Sequence, residues 1–361
     1  MSSIWCAISG HGYGHAAQVV PVLNQLGRLV PNLHAILRTT VPTSFFHDRL
    51  TIAWTHQSVQ QDVGCIQDGP LTIDIPATWE AHRRFHDQWE QQVRHEAVAM
   101  QSAGPRVILS DTPYLAAQAG MEAGIPIISL ANFTWDEVLE PFVNADQPYQ
   151  RAILSTIRNS YGCADLALRI EPGLPLPSFP NVQDIGPIAE PAKSQRKNLR
   201  QHLKLVETDR IVLVGFGGIP LGTLPWAEMD RMAGYHFIVD GLAPPPSTHI
   251  HAREKLPFTF KTILASVDFI MTKPGYGTIV EAVALGIPTL YVRRHNFADE
   301  LPLVEFLHRY NRGTELSLDN FISGQWQSAF RTLLDAPPKT IAPRFTGAAE
   351  AARNLVKYFE S

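Results

Sequence analysis

The chain has 361 residues, of which 45% are hydrophobic and 18% charged, and its formal net charge at pH 7 is −4. These values exclude an intrinsically disordered chain, and the slightly negative charge gives no reason to expect nucleic acid as a partner. The chain is too long for one ordinary hydrophobic core and predicts two domains of roughly 150–200 residues each.

Cysteine content and the lack of targeting segments predict a cytoplasmic protein. The three cysteines (Cys6, Cys65 and Cys163) do not have the paired spacing of metal sites, which favours reduced thiols. The sequence shows neither a charged segment followed by a cleavable apolar stretch nor a run of about 18 apolar residues. Phe45 and Phe46 would suit a membrane contact, but a position in the core explains them better.

The N-terminal segment predicts a buried strand, a glycine-rich loop and an amphipathic helix. Residues 3–9 form the apolar strand, residues 16–29 the helix, and the loop between them reads Gly10-His11-Gly12-Tyr13-Gly14-His15. This order is typical of a dinucleotide fold, although the glycines alternate and do not follow the G-x-G-x-x-G spacing. Because neutral imidazole titrates near working pH, His15 and His11 are both candidates for a general base.

Two later strands end in polar residues. Residues 107–111 form an apolar strand whose last residue is Asp111, and residues 125–130 form another, followed by Asn132 and Trp135. Open parallel sheets place ligand groups at this carboxyl edge. Asp111 could orient a histidine there or cap the following helix, and the two roles are compatible. Asn132 and Trp135 could line a pocket, with aromatic packing beneath a loop as the alternative.

A charged helix is predicted over residues 79–101. His82 and His86 are four residues apart, so they would share one face and could hold a metal ion. The glutamate that usually accompanies such a pair is missing, and a solvated helix face is the better interpretation. No metal site is predicted, since the chain also lacks an Asp-x-Asp pair.

A proline-rich stretch over residues 171–191 predicts the connection between an N-terminal domain (1–185) and a C-terminal domain (186–342). A basic helix near residues 194–205 opens the second domain. The strand 211–214 then leads into the second glycine-rich loop, Gly215-Phe216-Gly217-Gly218.

The most informative stretch is Thr272-Lys273-Pro274-Gly275-Tyr276-Gly277-Thr278-Ile279-Val280-Glu281. An apolar strand precedes it and a helix over 279–285 follows. The N-terminus of such a helix attracts an anion, because backbone N–H groups and the helix dipole point towards it. Gly275 and Gly277 allow close approach, Lys273 and Thr278 can add a charge and a hydroxyl, and Glu281 could accept from a ribose diol. An ordinary strand-to-helix turn is the alternative.

This decapeptide resembles the donor-binding signature of nucleotide-sugar glycosyltransferases of the GT-B fold. The His, Gly, Trp, Ser and Glu positions of that signature are occupied here by Lys273, Gly275, Tyr276, Thr278 and Glu281. Two residues differ in a way that matters: Lys273 replaces the phosphate-contacting His, and Gly277 replaces an Asn. The first glycine-rich loop, residues 10–15, is similar to the corresponding loop of those GT-B glycosyltransferases that act on peptidoglycan precursors. Across nearly the whole chain, the sequence resembles the non-kinase N-terminal half of plant L-arabinokinase.

The resemblance implies an α/β GT-B fold of two Rossmann-like, doubly wound parallel-sheet domains facing a cleft, with a helix in 343–361 packed back on the first domain. It implies His15 as general base with Asp111 as its orienter. It also implies acceptor binding by His11, Tyr13, Asn132 and Trp135. For the donor it implies Gly217 and Gly218 at the diphosphate, Phe258 near the base, and Asp299 and Glu300 at the sugar hydroxyls. The alternative for Asp299-Glu300 is a charge pair at a helix start.

The implied activity is an inverting, metal-independent sugar transfer from a nucleotide diphosphate donor, expected to be a UDP-sugar, to an unknown small-molecule or lipid acceptor. The nucleotide sugar is a co-substrate, so no cofactor is expected. Two alternatives stay open: a sugar-nucleotide epimerase, and a nucleotide-sugar sensor without turnover.

Overall fold

A computed structural model describes residues 2–217, 223–294 and 296–360 of the chain. The chain divides into two compact units. The N-terminal unit comprises Met1–Ile66, Ile73–Ile188 and Arg344–Ser361, and the C-terminal unit comprises Gln67–Thr72 and Ala189–Pro343. The chain passes from one unit to the other near residues 188 and 344, within three residues of the boundaries expected from the sequence. The short segment 67–72, which belongs to the C-terminal unit, was not expected.

The N-terminal unit is built on a seven-stranded parallel sheet with the order β3-β2-β1-β4-β5-β6-β7. Its strands are β1 (Ser3–Ile8), β2 (His34–Arg38), β3 (Ala53–Gln57), β4 (Val107–Asp111), β5 (Ile127–Ala131), β6 (Leu166–Ile170) and β7 (Val182–Ile185). Its first helices are α1 (Tyr13–Leu29), α2 (Ile75–His86), α3 (Trp89–Ala103), α4 (Tyr114–Ala123), α5 (Trp135–Leu139) and α6 (Pro148–Tyr161).

The strand order of this sheet reverses between β1 and β4. Both strands are apolar runs buried along nearly their whole length, as expected for parallel strands covered by helices on two faces. Their register pairs Ile8 with Asp111, so the two strands end side by side. The connections that follow them leave in opposite directions, and in open sheets such a reversal forms a crevice at the carboxyl edge, where ligands usually bind.

The predicted helix over 79–101 is two helices. α2 ends at His86 and α3 begins at Trp89, with Asp87 and Gln88 between them. The Gln92 side-chain amide donates to the carbonyl of Phe85 at 2.9 Å, which satisfies one of the unpaired carbonyls at the end of α2. This break was missed because no glycine or proline marks it.

The C-terminal unit is built on a six-stranded parallel sheet with the order β10-β9-β8-β11-β12-β13, which reverses between β8 and β11. Its strands are β8 (Arg210–Val214), β9 (Tyr235–Val239), β10 (Ile250–Ala252), β11 (Phe269–Thr272), β12 (Thr289–Tyr291) and β13 (Gly313–Glu315). Its helices are α7 (Arg196–His202), α8 (Trp226–Arg231), α9 (Phe260–Leu264), α10 (Tyr276–Leu285), α11 (Glu300–Tyr310), α12 (Leu318–Ser323) and α13 (Gln327–Asp335).

Alternate residues of β8 face two different hydrophobic cores of this unit. Val212 and Val214 belong to one cluster, and Ile211 and Leu213 belong to the other. The period of two explains why the strand reads as a continuous apolar run.

The C-terminal helix α14 (Gly347–Val356) packs on α1 within the N-terminal unit. Glu350 accepts from the backbone N–H of Gly186 at 2.7 Å. At the start of α14, a Cβ on Gly347 would lie 2.0 Å from the carbonyl oxygen of Gly186. Only glycine permits this approach of helix and backbone.

Gly347→Ala is therefore expected to lower the free energy of unfolding by about 1–3 kcal/mol, because the added methyl group must displace backbone. Gly277→Ala is the matched control, since a Cβ there meets nothing within 4 Å and the residue also lies in the first turn of a helix. Urea unfolding followed by circular dichroism measures both. Equal stabilities of the two variants would contradict the close packing.

Within the residues that the structure describes, no helix is long and apolar enough to cross a membrane.

Candidate active site

His15 and Asp111 meet at the carboxyl edge of the N-terminal sheet. The Nδ1 atom of His15 lies 2.9 Å from Oδ2 and 3.2 Å from Oδ1 of Asp111. Both residues are buried, Asp111 completely. Helix α1 begins at Tyr13, three residues earlier than predicted, so His15 is fixed in its first turn. The contact predicted between these two side chains is present.

The residue after Asp111 has a strained backbone. Thr112 has a φ of 52°, a left-handed conformation that a β-branched residue rarely adopts. The Tyr161 hydroxyl donates to the Thr112 carbonyl at 2.7 Å, and the Thr112 hydroxyl lies 3.4 Å from the His15 Nδ1. Strain of this kind persists where the surroundings over-determine it, often at functional sites. Here the bond from Tyr161 holds the strained turn beside the histidine.

Asp62 is a second buried carboxylate in this region, and sequence reasoning did not find it. Its Oδ2 accepts from the Trp135 indole at 2.7 Å, and its Oδ1 accepts from the Ser9 hydroxyl at 3.1 Å. Burial raises the pKa of Asp62 to about 6, against the lowering effects of the Trp135 bond and the charge of His15. The loop after β3 carries no motif. The signal that could have found Asp62 is the general rule that polar residues collect at this edge of the sheet.

The four predicted acceptor-binding residues lie in different surroundings. His11 and Trp135 are in edge-to-face contact, with ring centroids 5.2 Å apart. Asn132 is buried, and its side-chain oxygen accepts from the amide of Gln18 at 3.1 Å. Tyr13 is 55% exposed and stacks on Phe45. His11 and Trp135 are therefore close to Asp62, whereas Asn132 bonds to α1 and Tyr13 lies on the surface.

In the C-terminal unit, Lys273 lies against two glycines of the predicted donor loops. Its Nζ would be 3.6 Å from a Cβ on Gly217 and from one on Gly275. The loops after β8 and β11 are neighbours because the strand order reverses there. Gly218 lies outside the described residues.

The Lys273 ammonium has no hydrogen-bond or ion-pair partner within residues 2–217, 223–294 and 296–360. Burial lowers its pKa to about 7, helped by the positive charge of Arg294 and opposed by Asp299 and Glu300. Gly275 is the N-terminal cap of α10 and has an extended backbone, so the first turn at Tyr276, Gly277 and Thr278 follows it directly. A half-buried cation beside a helix N-terminus is suited to bind an anion.

Glu281 and Phe258 have partners in the protein. The Glu281 carboxylate forms an ion pair with Lys261 at 2.6 Å. Phe258 packs against the hydrophobic cluster that contains Leu199, and its ring is in edge contact with His202. Their roles at the ribose and the base stay predictions.

Glu300 anchors the loop before α11. Its two carboxylate oxygens accept from the Arg293 guanidinium at 2.7 Å and from the Arg294 backbone N–H at 2.6 Å. Glu300 is buried, and Asp299 is the more exposed of the pair, 3.4 Å from the Arg294 guanidinium. A sugar contact by Glu300 would have to replace one of these bonds, while Asp299 is better placed for one.

Glu300→Gln is expected to lower the free energy of unfolding by roughly 1–3 kcal/mol, because it weakens charge-assisted bonds in a buried place. Asp299→Asn is the matched control and is expected to change stability by less than about 0.5 kcal/mol. Urea titration reports both. If Glu300→Gln left stability unchanged and weakened only sugar-nucleotide binding, the predicted sugar contact would be correct and the anchoring role wrong.

In the described part of the chain, no group of three or more His, Cys, Asp or Glu side chains is arranged to hold a metal ion. His82 and His86 stack on each other within the N-terminal unit, and burial lowers the pKa of His82 to about 3 and that of His86 below its usual value. Both rings belong to an aromatic packing cluster rather than a solvated face.

The two parallel sheets with helices define the GT-B fold of glycosyltransferases, which confirms the predicted fold class. The structure of the calicheamicin glycosyltransferase CalG4 matches with a TM-score of 0.63 and 16% identity, covering 99% of this chain and 98% of that one. UGT89C1 of Arabidopsis thaliana, complexed with quercetin, matches with a TM-score of 0.64 and 13% identity over 98% of both chains. UGT2 of Phytolacca americana, complexed with UDP-2-fluoro-glucose and pterostilbene, has a TM-score of 0.62 and 13% identity, covering 99% and 94%.

In sequence, L-arabinokinase of Arabidopsis thaliana is 29% identical over an alignment of 331 residues, and the match covers 88% of this chain. The match covers 31% of that protein, so this chain spans about a third of the curated relative. No protein-family model matches the chain.

Proposed function

We propose that the protein is an inverting glycosyltransferase that moves a sugar from a nucleotide diphosphate donor to a hydroxyl group of an acceptor. The observation that carries this proposal is the 2.9 Å contact between His15 and Asp111 at the strand-order reversal of the N-terminal sheet. A buried carboxylate on one ring nitrogen fixes the tautomer and stabilises the charged imidazole, which are the two needs of a general base.

In this mechanism Asp111 holds the proton on Nδ1 of His15, so Nε2 carries the basic lone pair. The acceptor hydroxyl gives its proton to Nε2 while its oxygen attacks the anomeric carbon from the face opposite the leaving group. The bond from that carbon to the diphosphate oxygen breaks, and the nucleoside diphosphate leaves with the electron pair. One displacement of this kind inverts the anomeric configuration.

The diphosphate is proposed to bind at Lys273, Gly275 and the first turn of α10. Its developing negative charge would be stabilised by the Lys273 ammonium and the backbone N–H groups of that turn. Gly217 and Gly277 would allow the phosphates to approach the backbone, and Thr278 would add a hydroxyl. These groups can act without a bridging metal ion, and a UDP-sugar is the donor proposed.

A panel of UDP- and other nucleotide sugars, incubated with the protein and analysed by chromatography, tests the proposal. Slow donor hydrolysis that disappears in His15→Ala is the expected result. Conversion of a donor into an isomeric sugar nucleotide would replace the proposal with an epimerase. Tight binding without any turnover would replace it with a sensor.

A further inference from the structure

The N-terminal unit contains a pocket of about 660 Å³ beside the His11 loop, which is the size of a small-molecule site. It lies between the loops after β1, β2 and β3 and helices α2 and α3. Half of its twelve lining residues have hydrogen-bonding side chains: His11, Thr40, Gln60, Asp62, Arg84 and Gln92.

These side chains present both hydrogen-bond acceptors and hydrogen-bond donors. The Gln60 amide nitrogen donates to the Asp62 carbonyl at 3.1 Å, and the Gln92 amide nitrogen donates to the Phe85 carbonyl at 2.9 Å. Each amide therefore keeps its oxygen as an acceptor and one N–H as a donor for a ligand. Asp62 adds a carboxylate, which has about four acceptor positions, two of which are used by Ser9 and Trp135.

The Asp62 carboxylate disfavours an anionic ligand. The Arg84 guanidinium is bound to Glu80 at 2.7 Å, and Glu80 also accepts from Arg83. An anion offers only acceptors, which cannot bond to the oxygens of Gln60, Gln92 and Asp62. A ligand with several hydroxyl groups can donate to these oxygens and also accept from the remaining N–H groups.

Flat aromatic ligands also match poorly. Among the described lining residues, Phe85 is the one with an aromatic hydrocarbon ring, and it is only 8% exposed; the other apolar side chains are Val63, Ile66 and Ala81. Pterostilbene and quercetin, which occupy two of the similar solved structures, would require broad apolar or stacking surfaces.

We propose that this pocket binds a small, neutral, hydroxyl-rich acceptor of the free sugar or polyol class, and that Asp62 is the residue that selects it. The role of this ligand as an acceptor rests on the proposed glycosyltransferase function, but its binding to the pocket does not. Asp62 would accept from two hydroxyl groups of the bound molecule, and its links to Ser9 and Trp135 keep the carboxylate fixed.

Protonation of Asp62 gives a test of its contact with the ligand. The charged and titratable groups that act on it are His15 and Asp111, and it acts in turn on the buried Tyr114 and Tyr161. Below pH 6 the carboxyl group becomes neutral and loses acceptor capacity. Sugar affinity is therefore expected to fall as the pH drops from 7 to 5, and to stay flat in Asp62→Asn.

Saturation-transfer NMR without nucleotide tests the proposal, with D-glucose, L-arabinose and myo-inositol as probes and glucose 6-phosphate and quercetin as contrasts. At least one neutral polyol is expected to bind the wild-type protein in preference to both contrasts. Asp62→Asn is expected to weaken that binding at least tenfold, and Thr40→Val, which removes one hydroxyl isosterically, about threefold to tenfold. Glu122→Gln, an exposed charge change in the same unit, should have no effect.

Preferential binding of quercetin or glucose 6-phosphate, or polyol binding that is unchanged in both Asp62→Asn and Thr40→Val, would overturn the proposal. Thr40→Val keeps the test decisive if Asp62→Asn does not fold. Polyol binding without donor hydrolysis would contradict the glycosyltransferase and leave the pocket assignment intact. Donor hydrolysis with quercetin bound in preference to every polyol would support the glycosyltransferase and contradict the pocket assignment.

Discussion

Replacing His15 by alanine is expected to lower the rate of sugar transfer, or of donor hydrolysis, by a factor on the order of 10²–10⁴. The physical reason is that water or a hydroxyl group must then attack without losing its proton to a positioned base. Because His15 does not belong to the donor loops, the affinity for UDP is expected to stay within about twofold of the wild-type value. Single-turnover rates and calorimetry measure the two quantities separately.

Asp111→Asn and His11→Ala complete this experiment. The asparagine keeps the shape of Asp111 but cannot stabilise a charged imidazole, so a loss close to that of His15→Ala is expected. His11→Ala removes the other histidine of the loop and is expected to affect acceptor binding more than the rate at saturation. A full loss in His11→Ala with normal turnover in His15→Ala would give the role of base to His11.

The second large effect is the pH dependence of diphosphate binding by Lys273. The pKa of this lysine is about 7 in the unliganded protein, and only the protonated form attracts a diphosphate. UDP affinity is therefore expected to be highest below pH 7 and to fall about 50-fold between pH 7 and pH 9, following the protonated fraction. Calorimetry in two buffers of different ionisation enthalpy should also show proton uptake on binding near pH 8.

Lys273→Arg is the matched control, because a guanidinium stays charged across this range and should make the affinity nearly independent of pH. The stability of the unliganded protein gives a second test of the lowered pKa of Lys273. Since the folded pKa lies below the unfolded value of 10.5, the unfolded chain binds more protons between pH 7 and 10.5, and the free energy of unfolding rises through that interval. If the UDP affinity of the wild type were as independent of pH as that of Lys273→Arg, Lys273 would be excluded from the diphosphate site.

The parts of the fold that the sequence predicted are those where local pattern and burial agree. Strand β1 is a short apolar run that ends two residues before Gly10, and β4 is another whose last residue is Asp111, so their ends could be read directly. The reversal of strand order then brings His15 beside Asp111, although 96 positions separate them in the chain. In this part of the site, topology converts two separate motifs into one contact.

The parts that were missed depend on partners far away in the sequence. Asp62 belongs to a loop without a motif, and only folding brings Ser9 and Trp135 to its two oxygens. Glu300 has the position of a ligand residue, but its oxygens bond to Arg293 and Arg294 in the preceding loop. A motif fixes the place of a carboxylate in the chain, whereas its hydrogen-bond partners decide what the carboxylate is able to bind.

In the proposed mechanism, one displacement assisted by His15 breaks the sugar–diphosphate bond. The most direct measurement is a proton NMR spectrum of the sugar first released from an α-linked UDP-sugar, recorded before the anomers equilibrate. The β-anomer is expected to appear first in the wild type, and its formation is expected to be suppressed at least 100-fold in His15→Ala. Initial release of the α-anomer, or release at the same rate without His15, would contradict it.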